Sequence, residues 1–203
     1  MLLLAVFLAS FTVIHAWSGP SPALWLDTLN DQREARRCVE EGSCSLLGQA
    51  ASIDGLFVAG SWLHLRALFL GLGLGYDELY LLLQVLDALG IALVTLAGAR
   101  LGSRSLGAGA AFVLVSRLGH VGPTREAIYN TSPLVFLGAL LLLASVSAVR
   151  RPGLWPSCLI GLLAAMMADI HTACTPLGVG VVCVALLPPG RRVARAFVAA
   201  FPH

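Results

Sequence analysis

The chain has 203 residues, of which 58% are hydrophobic and 12% charged, and its mean hydropathy is +0.85. The hydrophobic fraction and the mean hydropathy lie well above those of water-soluble globular domains, and the charged fraction lies well below, so the composition argues against a soluble protein and predicts an integral membrane protein. The formal net charge of +2 gives no reason to expect nucleic acid as a partner.

Apolar runs with almost no charge recur along the chain and predict six membrane spans. A bilayer core requires roughly 20 apolar residues in a helix, with a range of about 17 to 25, and the backbone polar groups must be bonded within each span. The predicted fold class is therefore all-α, a polytopic transmembrane helical bundle that forms a single domain over residues 1–203. The predicted spans are residues 1–17, 79–98, 105–119, 133–149, 154–170 and 173–188.

Arginine sets the predicted orientation, because the chain contains no lysine. With these six spans, seven arginines fall on one side, which the positive-inside rule assigns to the cytoplasm. Both termini are then cytoplasmic, and the first loop, residues 18–78, is extracytoplasmic and carries short juxtamembrane helices. The abundance of Ala, Leu, Gly and Arg suggests a GC-rich bacterial source and hence the bacterial inner membrane. The seven arginines are Arg100, Arg104, Arg150, Arg151, Arg191, Arg192 and Arg195.

Two apolar segments near the amino terminus allow a second interpretation. Residues 56–74 could form another span, but that span would move all seven arginines outside; His64, Arg66 and the closing glycines favour an interfacial helix on the outer leaflet. Residues 1–17 could be a signal peptide, but they lack a positive amino-terminal region and a good cleavage site, which favours an uncleaved span. Because the chain ends just after the sixth run, we expect it to be the amino-terminal part of a longer protein.

The segment LNDQREARRCVEEGSC, residues 29–44, concentrates charge within the first loop. We expect a short helix that Thr28 or Asn30 caps and Gly42 ends, and a solvated helix face would account for most of its charges. Cys38 and Cys44 lie in a loop where oxidising conditions allow a disulfide, which would fix the end of this helix. Two thiols at this spacing can also stay free.

The start of this segment, NDQREA over residues 30–35, resembles the Asp-Glu-x-Arg-x-Ala motif of GT-C glycosyltransferases. These integral membrane enzymes include lipid A aminoarabinose transferases and protein O-mannosyltransferases. Residues 48–70, 129–144 and 168–187 are similar to later segments of the family in the same order, so the resemblance covers most of the chain. The chain departs from the motif at Asn30, where the family has an acidic residue.

The resemblance implies transfer of a sugar from a polyprenyl-phosphate donor to an extracytoplasmic acceptor, which is a lipid, a glycan or a protein. Asp31 is then the candidate general base for the acceptor hydroxyl, and Asp27, one turn earlier, is its spatial substitute. Arg33 is the candidate for the leaving phosphate. Positions two apart diverge by about 200° on an ideal helix, so Asp31 and Arg33 would share one site only if the helix is distorted or short.

Four further residues are candidates for substrate binding, and two of them also have a plainer explanation. Arg66 could reach a lipid phosphate from the interfacial helix or only extend its charge to water. Arg125 could line the site or pair with Glu126. His171 lies where the fifth span meets the outer surface, a position at which ionisable residues are candidates for function. Asn30 is included as part of the motif.

The sequence contains no Gly-rich phosphate loop, nucleotide fingerprint, zinc signature or Gly-x-Ser-x-Gly elbow. This argues against a soluble enzyme that uses nucleotide sugars and identifies neither a cofactor nor a metal site, although a divalent metal requirement stays open. The expected partners are the donor lipid and the bilayer, with the acceptor unknown. The alternatives are a transporter, in which Asp87, Asp169 and His171 form a polar path, and a non-catalytic membrane scaffold descended from the transferases.

Overall fold

The computed structural model describes residues 2–18, 26–44, 47–50, 57–120, 133–151, 153–170 and 179–180. This part of the chain is helical apart from one pair of short strands. Its helices are α1 (Leu2–Ser18), α2 (Leu26–Glu41), α3 (Ser61–Gly71), α4 (Tyr76–Leu101), α5 (Arg104–His120), α6 (Leu134–Arg150) and α7 (Leu154–Ile170), and its strands are β1 (Leu47–Ala50) and β2 (Phe57–Ala59).

Five of the six predicted spans are helices, with ends within three residues of the predicted ones, namely α1, α4, α5, α6 and α7. The sixth predicted span, 173–188, lies outside the described residues except for 179–180, which are helical. The helical class of the fold is therefore confirmed. Long apolar runs predict the positions of helices well, because glycine, proline and arginine mark where each run ends.

Among the described helices, only α4 is long and apolar enough to cross a membrane, with 26 residues. The other four apolar helices have 17 residues or fewer. That length lies at the lower end of the roughly 17 to 25 residues that a span requires. The six-span membrane arrangement stays a prediction.

Helix α4 is the centre of the bundle and packs against α1, α5 and α6, while α7 packs against α6. The contact between α4 and α5 is close, because glycines face each other across it. A Cβ atom built on Gly107 would overlap the carbonyl oxygen of Thr95, and one on Gly98 would lie 2.6 Å from the backbone nitrogen of Gly107. Small residues of this kind let two helix backbones approach without side chains between them.

The bundle has two chemically different ends. At the arginine end, where α4 and α6 finish and α5 and α7 begin, the exposed cations are Arg100, Arg104, Arg150 and Arg151. At the α3 end, where α1 finishes and α4 begins, α3 packs on α4. There Trp62 is buried against Leu79, Tyr80 and Leu83.

Helices α2 and α3 form a small unit with the two strands at the α3 end. Ala35 and Cys38 of α2 pack against Leu63 and Ala67 of α3. Strand β1 pairs with β2 in antiparallel register, with Leu47 opposite Ala59. These strands are absent from the sequence-based prediction, because each is too short to show an alternating pattern.

Two of the predicted boundaries in this unit were wrong. Helix α2 begins at Leu26 rather than at a cap between residues 28 and 30, because Leu26 and Asp27 are equally compatible with a helix. The interfacial helix occupies 61–71 rather than 56–74, since residues 57–59 form a strand and Gly73 adopts a positive φ of 78°.

The carboxyl end of α2 matches its prediction. Gly42 directly follows the last helical residue and has a φ of 67°, a conformation that glycine adopts without steric cost. A disulfide joins Cys38 to Cys44 across this turn, with Cα atoms 4.5 Å apart. The sequence left the state of these two thiols open; in the structure they are bonded, which closes the end of α2 covalently.

Candidate functional site

A buried arginine connects α2, α3 and α4 at the α3 end of the bundle. The Arg66 side chain is only 1% exposed, and its Nη1 lies 3.2 Å from Oδ2 of Asp31. Its Nη2 donates a hydrogen bond of 2.7 Å to Oε1 of Gln32. The guanidinium carbon lies 5.7 Å from the centre of the Tyr76 ring, within range of a cation–π contact. We call Asp31, Gln32, Trp62, Arg66 and Tyr76 the Arg66 cluster.

Helical spacing explains why these side chains meet. Asp31, Ala35 and Cys38 follow one another at i, i+4 and i+7, so they lie on one face of α2. Ala35 is fully buried, and its small side chain lets α3 approach closely. The residue after Arg66, Ala67, packs on the same surface. The guanidinium is therefore directed across the contact to Asp31 and Gln32 of α2.

The Asp31 carboxylate is held by two donors from α3. Its Oδ2 atom receives the ion pair from Arg66 and also a hydrogen bond of 3.1 Å from the indole Nε1 of Trp62. Trp62 and Arg66 are four residues apart, so both project from the same face of α3. The Asp31 side chain retains 14% exposure. It is thus fixed in position and still reaches the surface of the unit.

Burial and charge act on Arg66 in opposite directions. Removal from water lowers the pKa of the Arg66 guanidinium, whereas its attraction to Asp31, its proximity to Tyr76 and its hydrogen bond to Asp31 raise that pKa. An arginine remains protonated at neutral pH in such a site. A buried charge of this kind requires a close counter-charge and hydrogen bonds; Asp31 supplies the counter-charge at Nη1, and Gln32 accepts a hydrogen bond from Nη2.

The predicted site residues separate into two groups. The structure brings Asp31 and Arg66 together, although the sequence did not predict this contact. Asn30 and Arg33 are exposed on α2, so the helix is regular enough to turn Arg33 away from the face that carries Asp31. The remaining candidates cannot be placed, because the Asp27 side chain, Arg125 and His171 lie outside the described part of the chain.

Three members of the cluster were missed by the sequence interpretation. Gln32 occupies the variable third position of the motif, Tyr76 lies outside any motif, and Tyr76 reaches Arg66 only because α4 begins beside α3. Trp62 could have been found, since its spacing of four from Arg66 places both on one helix face. What the sequence could not supply was the pairing of α2 with α3.

A second group of polar side chains lies where α1 meets α4, with Gln84 and Asp87 buried and His15 exposed. His15 Nδ1 lies 2.8 Å from Oε1 of Gln84, within hydrogen-bond distance. Gln84 is 3% and Asp87 7% exposed, one turn apart on α4. Asp169 lies near the end of α7 and is half-buried.

Within the described residues, no three His, Cys, Asp or Glu side chains lie close enough to hold a metal ion. Comparison with protein-family models, with curated proteins and with solved structures found no match to this chain.

Proposed function

We propose that the chain is a bacterial inner-membrane glycosyltransferase of the GT-C kind, with six spans. It would move a sugar from a polyprenyl-phosphate donor to an acceptor on the outer side. The observation that carries the proposal is the contact of 3.2 Å between Asp31 and Arg66. This contact holds the candidate base and a cationic residue together in one cluster, in a protein whose other helices are mostly apolar.

The distribution of charge supports this placement in a membrane. Helices α1 and α4–α7 are apolar, and exposed arginines collect at the arginine end, which the positive-inside rule assigns to the cytoplasm. The Arg66 cluster lies at the opposite end. The disulfide between Cys38 and Cys44 agrees with this orientation, because such bonds persist in the periplasm and rarely in the cytosol.

In the proposed reaction, Asp31 acts as the general base. The acceptor hydroxyl gives its proton to the carboxylate while its oxygen forms a bond to the anomeric carbon of the donor. The bond from that carbon to the phosphate oxygen breaks, and the phosphate leaves with the electron pair. A well-placed base contributes about 10² to 10⁴-fold to such a rate.

Arg66 and Trp62 serve as positioning residues in this proposal, since they hold Oδ2 of Asp31 rather than face solvent. Arg33, which the sequence suggested for the leaving phosphate, is turned away from the face of α2 that carries Asp31, so the proposal gives it no contact with that phosphate.

The test measures release of polyprenyl phosphate from a radiolabelled polyprenyl-phosphate sugar, using the protein in vesicles with bacterial envelope material as acceptor. Asp31→Asn should lower the rate by about 10² to 10⁴-fold. Glu34→Gln, which removes a carboxylate from the exposed part of the same helix, should leave it unchanged. Equal rates in Asp31→Asn and the wild type, or no release by the wild type, would refute the proposal.

Transport is the second candidate function, and the polar group between α1 and α4 favours it. His15, Gln84 and Asp87 place polar side chains in an apolar bundle, where such residues often line the path of a proton or solute. If the protein is a carrier, Asp87→Asn should abolish uptake of its solute into vesicles, and Asp31→Asn should leave that uptake intact. If it is a membrane scaffold, neither variant should change sugar release or solute uptake.

A further inference from the structure

A cleft of about 580 Å³ opens between α6 and α7 at the arginine end, far from the Arg66 cluster. Its volume falls within the roughly 300 to 1,000 Å³ that small-molecule sites occupy. The lining is almost entirely apolar, and one wall remains exposed, with Trp155 at 86% and Leu162 at 58%. Leu143 and Leu159 complete the apolar surface. We call this cavity the α6–α7 cleft.

The polar part of the lining is confined to one side of the cleft. Arg100, at the end of α4, lies there and donates a hydrogen bond of 3.4 Å from Nη1 to Oγ of Ser147 on α6. Arg104, Arg150 and Arg151 are exposed at the same end of the bundle. None of the described acidic residues lies in the last turn of α4 or α6 or in the first turn of α5 or α7.

This combination of an apolar cleft and an uncompensated cationic rim matches an anionic amphiphile. We propose that the α6–α7 cleft binds one hydrocarbon chain of an anionic phospholipid, with the lipid phosphate at Arg100. The apolar side chains pack against the hydrocarbon chain, so within the bilayer this part of the affinity comes from van der Waals contact. The guanidinium matches a phosphate in charge and in hydrogen-bond geometry.

The inference rests on the membrane placement proposed above but not on sugar transfer. Under that placement the cleft opens at the cytoplasmic leaflet, where anionic lipids meet basic residues close to helix ends. It is therefore a lipid site separate from the donor site, which would lie at the α3 end.

Cys158 provides a direct probe, because it lines the cleft and is an exposed free thiol. The experiment uses the full chain with Cys174→Ala and Cys183→Ala in neutral detergent, and follows maleimide labelling of Cys158. Added phosphatidylglycerol should slow labelling, whereas phosphatidylcholine and inorganic phosphate should not. Arg100→Gln should weaken the protection about fivefold, which corresponds to the ~1 kcal/mol expected of one arginine near a lipid headgroup.

Arg36→Gln is the matched control, since it removes an exposed arginine from α2 and should keep full protection. Protection by phosphatidylcholine would overturn the preference for anionic lipid, and protection by phosphate alone would show a free-anion site. A thiol that stays unreactive without lipid would show that the chain itself, for example the apolar run 173–188, fills the cleft. A protein that fractionates without membranes would instead refute the membrane placement, and loss of sugar release in Asp31→Asn is measured independently.

Discussion

Asp31 and Arg66 come from different helices, yet Oδ2 of one lies 3.2 Å from Nη1 of the other. The guanidinium is almost completely removed from water, whereas the carboxylate keeps 14% exposure. The arginine is thus the buried member of the pair and depends on Asp31 for its counter-charge. This asymmetry determines what each substitution should do.

Asp31→Asn should lower the free energy of unfolding by about 3 to 5 kcal/mol, because it leaves Arg66 buried without its counter-charge. Chemical unfolding in detergent micelles measures the change. Glu34→Gln, which breaks the exposed contact of 3.3 Å with Arg37, should cost at most about 1 kcal/mol. Equal losses in the two variants would contradict the buried ion pair.

Asp31→Asn combined with Arg66→Met should be more stable than the sum of the single variants, with a coupling energy of about 1 to 3 kcal/mol. The methionine fills part of the arginine's volume without a charge, so the double variant keeps neither charge of the Asp31–Arg66 ion pair. The same double variant should still lack sugar release, because the proposed base is gone. Recovery of stability without recovery of activity separates the chemical role of Asp31 from its structural role.

Purified protein should contain the disulfide between Cys38 and Cys44. Without reductant, alkylation followed by mass spectrometry should modify two cysteines fewer than after reduction. Removing the bond by Cys38→Ser and Cys44→Ser should cost about 2 kcal/mol, as expected for so short a loop. Cys158→Ser should leave both readouts of this bond unchanged, and two reactive thiols at 38 and 44 in native protein would contradict the structure.

Gly107→Val should destabilise the bundle by about 1 to 3 kcal/mol, since any side chain there meets the backbone of Thr95 on α4. Gly109→Ala, on the same helix in open space, should be neutral or raise stability by up to about 1 kcal/mol, because alanine favours a helix. Thermal unfolding of both variants measures the difference. Similar behaviour at the two positions would mean that α4 and α5 do not pack through glycine.

Alkaline phosphatase fused after Gly73 should be active, and the same reporter fused after Gly102 should be inactive. Gly73 lies between α3 and α4, and Gly102 lies at the arginine end, so the two fusions report the two ends of α4. The enzyme folds only in an oxidising compartment. The reverse pattern would place the Arg66 cluster in the cytosol and refute the proposed transferase.

The sequence was most informative where the signal is local and long. Five apolar runs predicted five helices with ends within three residues, because a run bounded by glycine, proline or arginine constrains both ends of a helix. Gly42 likewise predicted the end of α2, since its position after the charged segment favours a positive φ. Shorter elements were predicted less well, as the strands β1 and β2 show.

The candidate site was only partly predictable for a different reason. The sequence singled out Asp31 and Arg66 separately, and the motif paired Asp31 with Arg33 instead. The regular turn of α2 directs Arg33 to solvent while Asp31 faces α3. Hydrophobic patterning therefore determined which segments are helices, because burial of apolar surface is set by local composition. Only the tertiary structure decided which charges meet, because that depends on how α2 and α3 are rotated about their axes when Ala35 packs against Leu63 and Ala67.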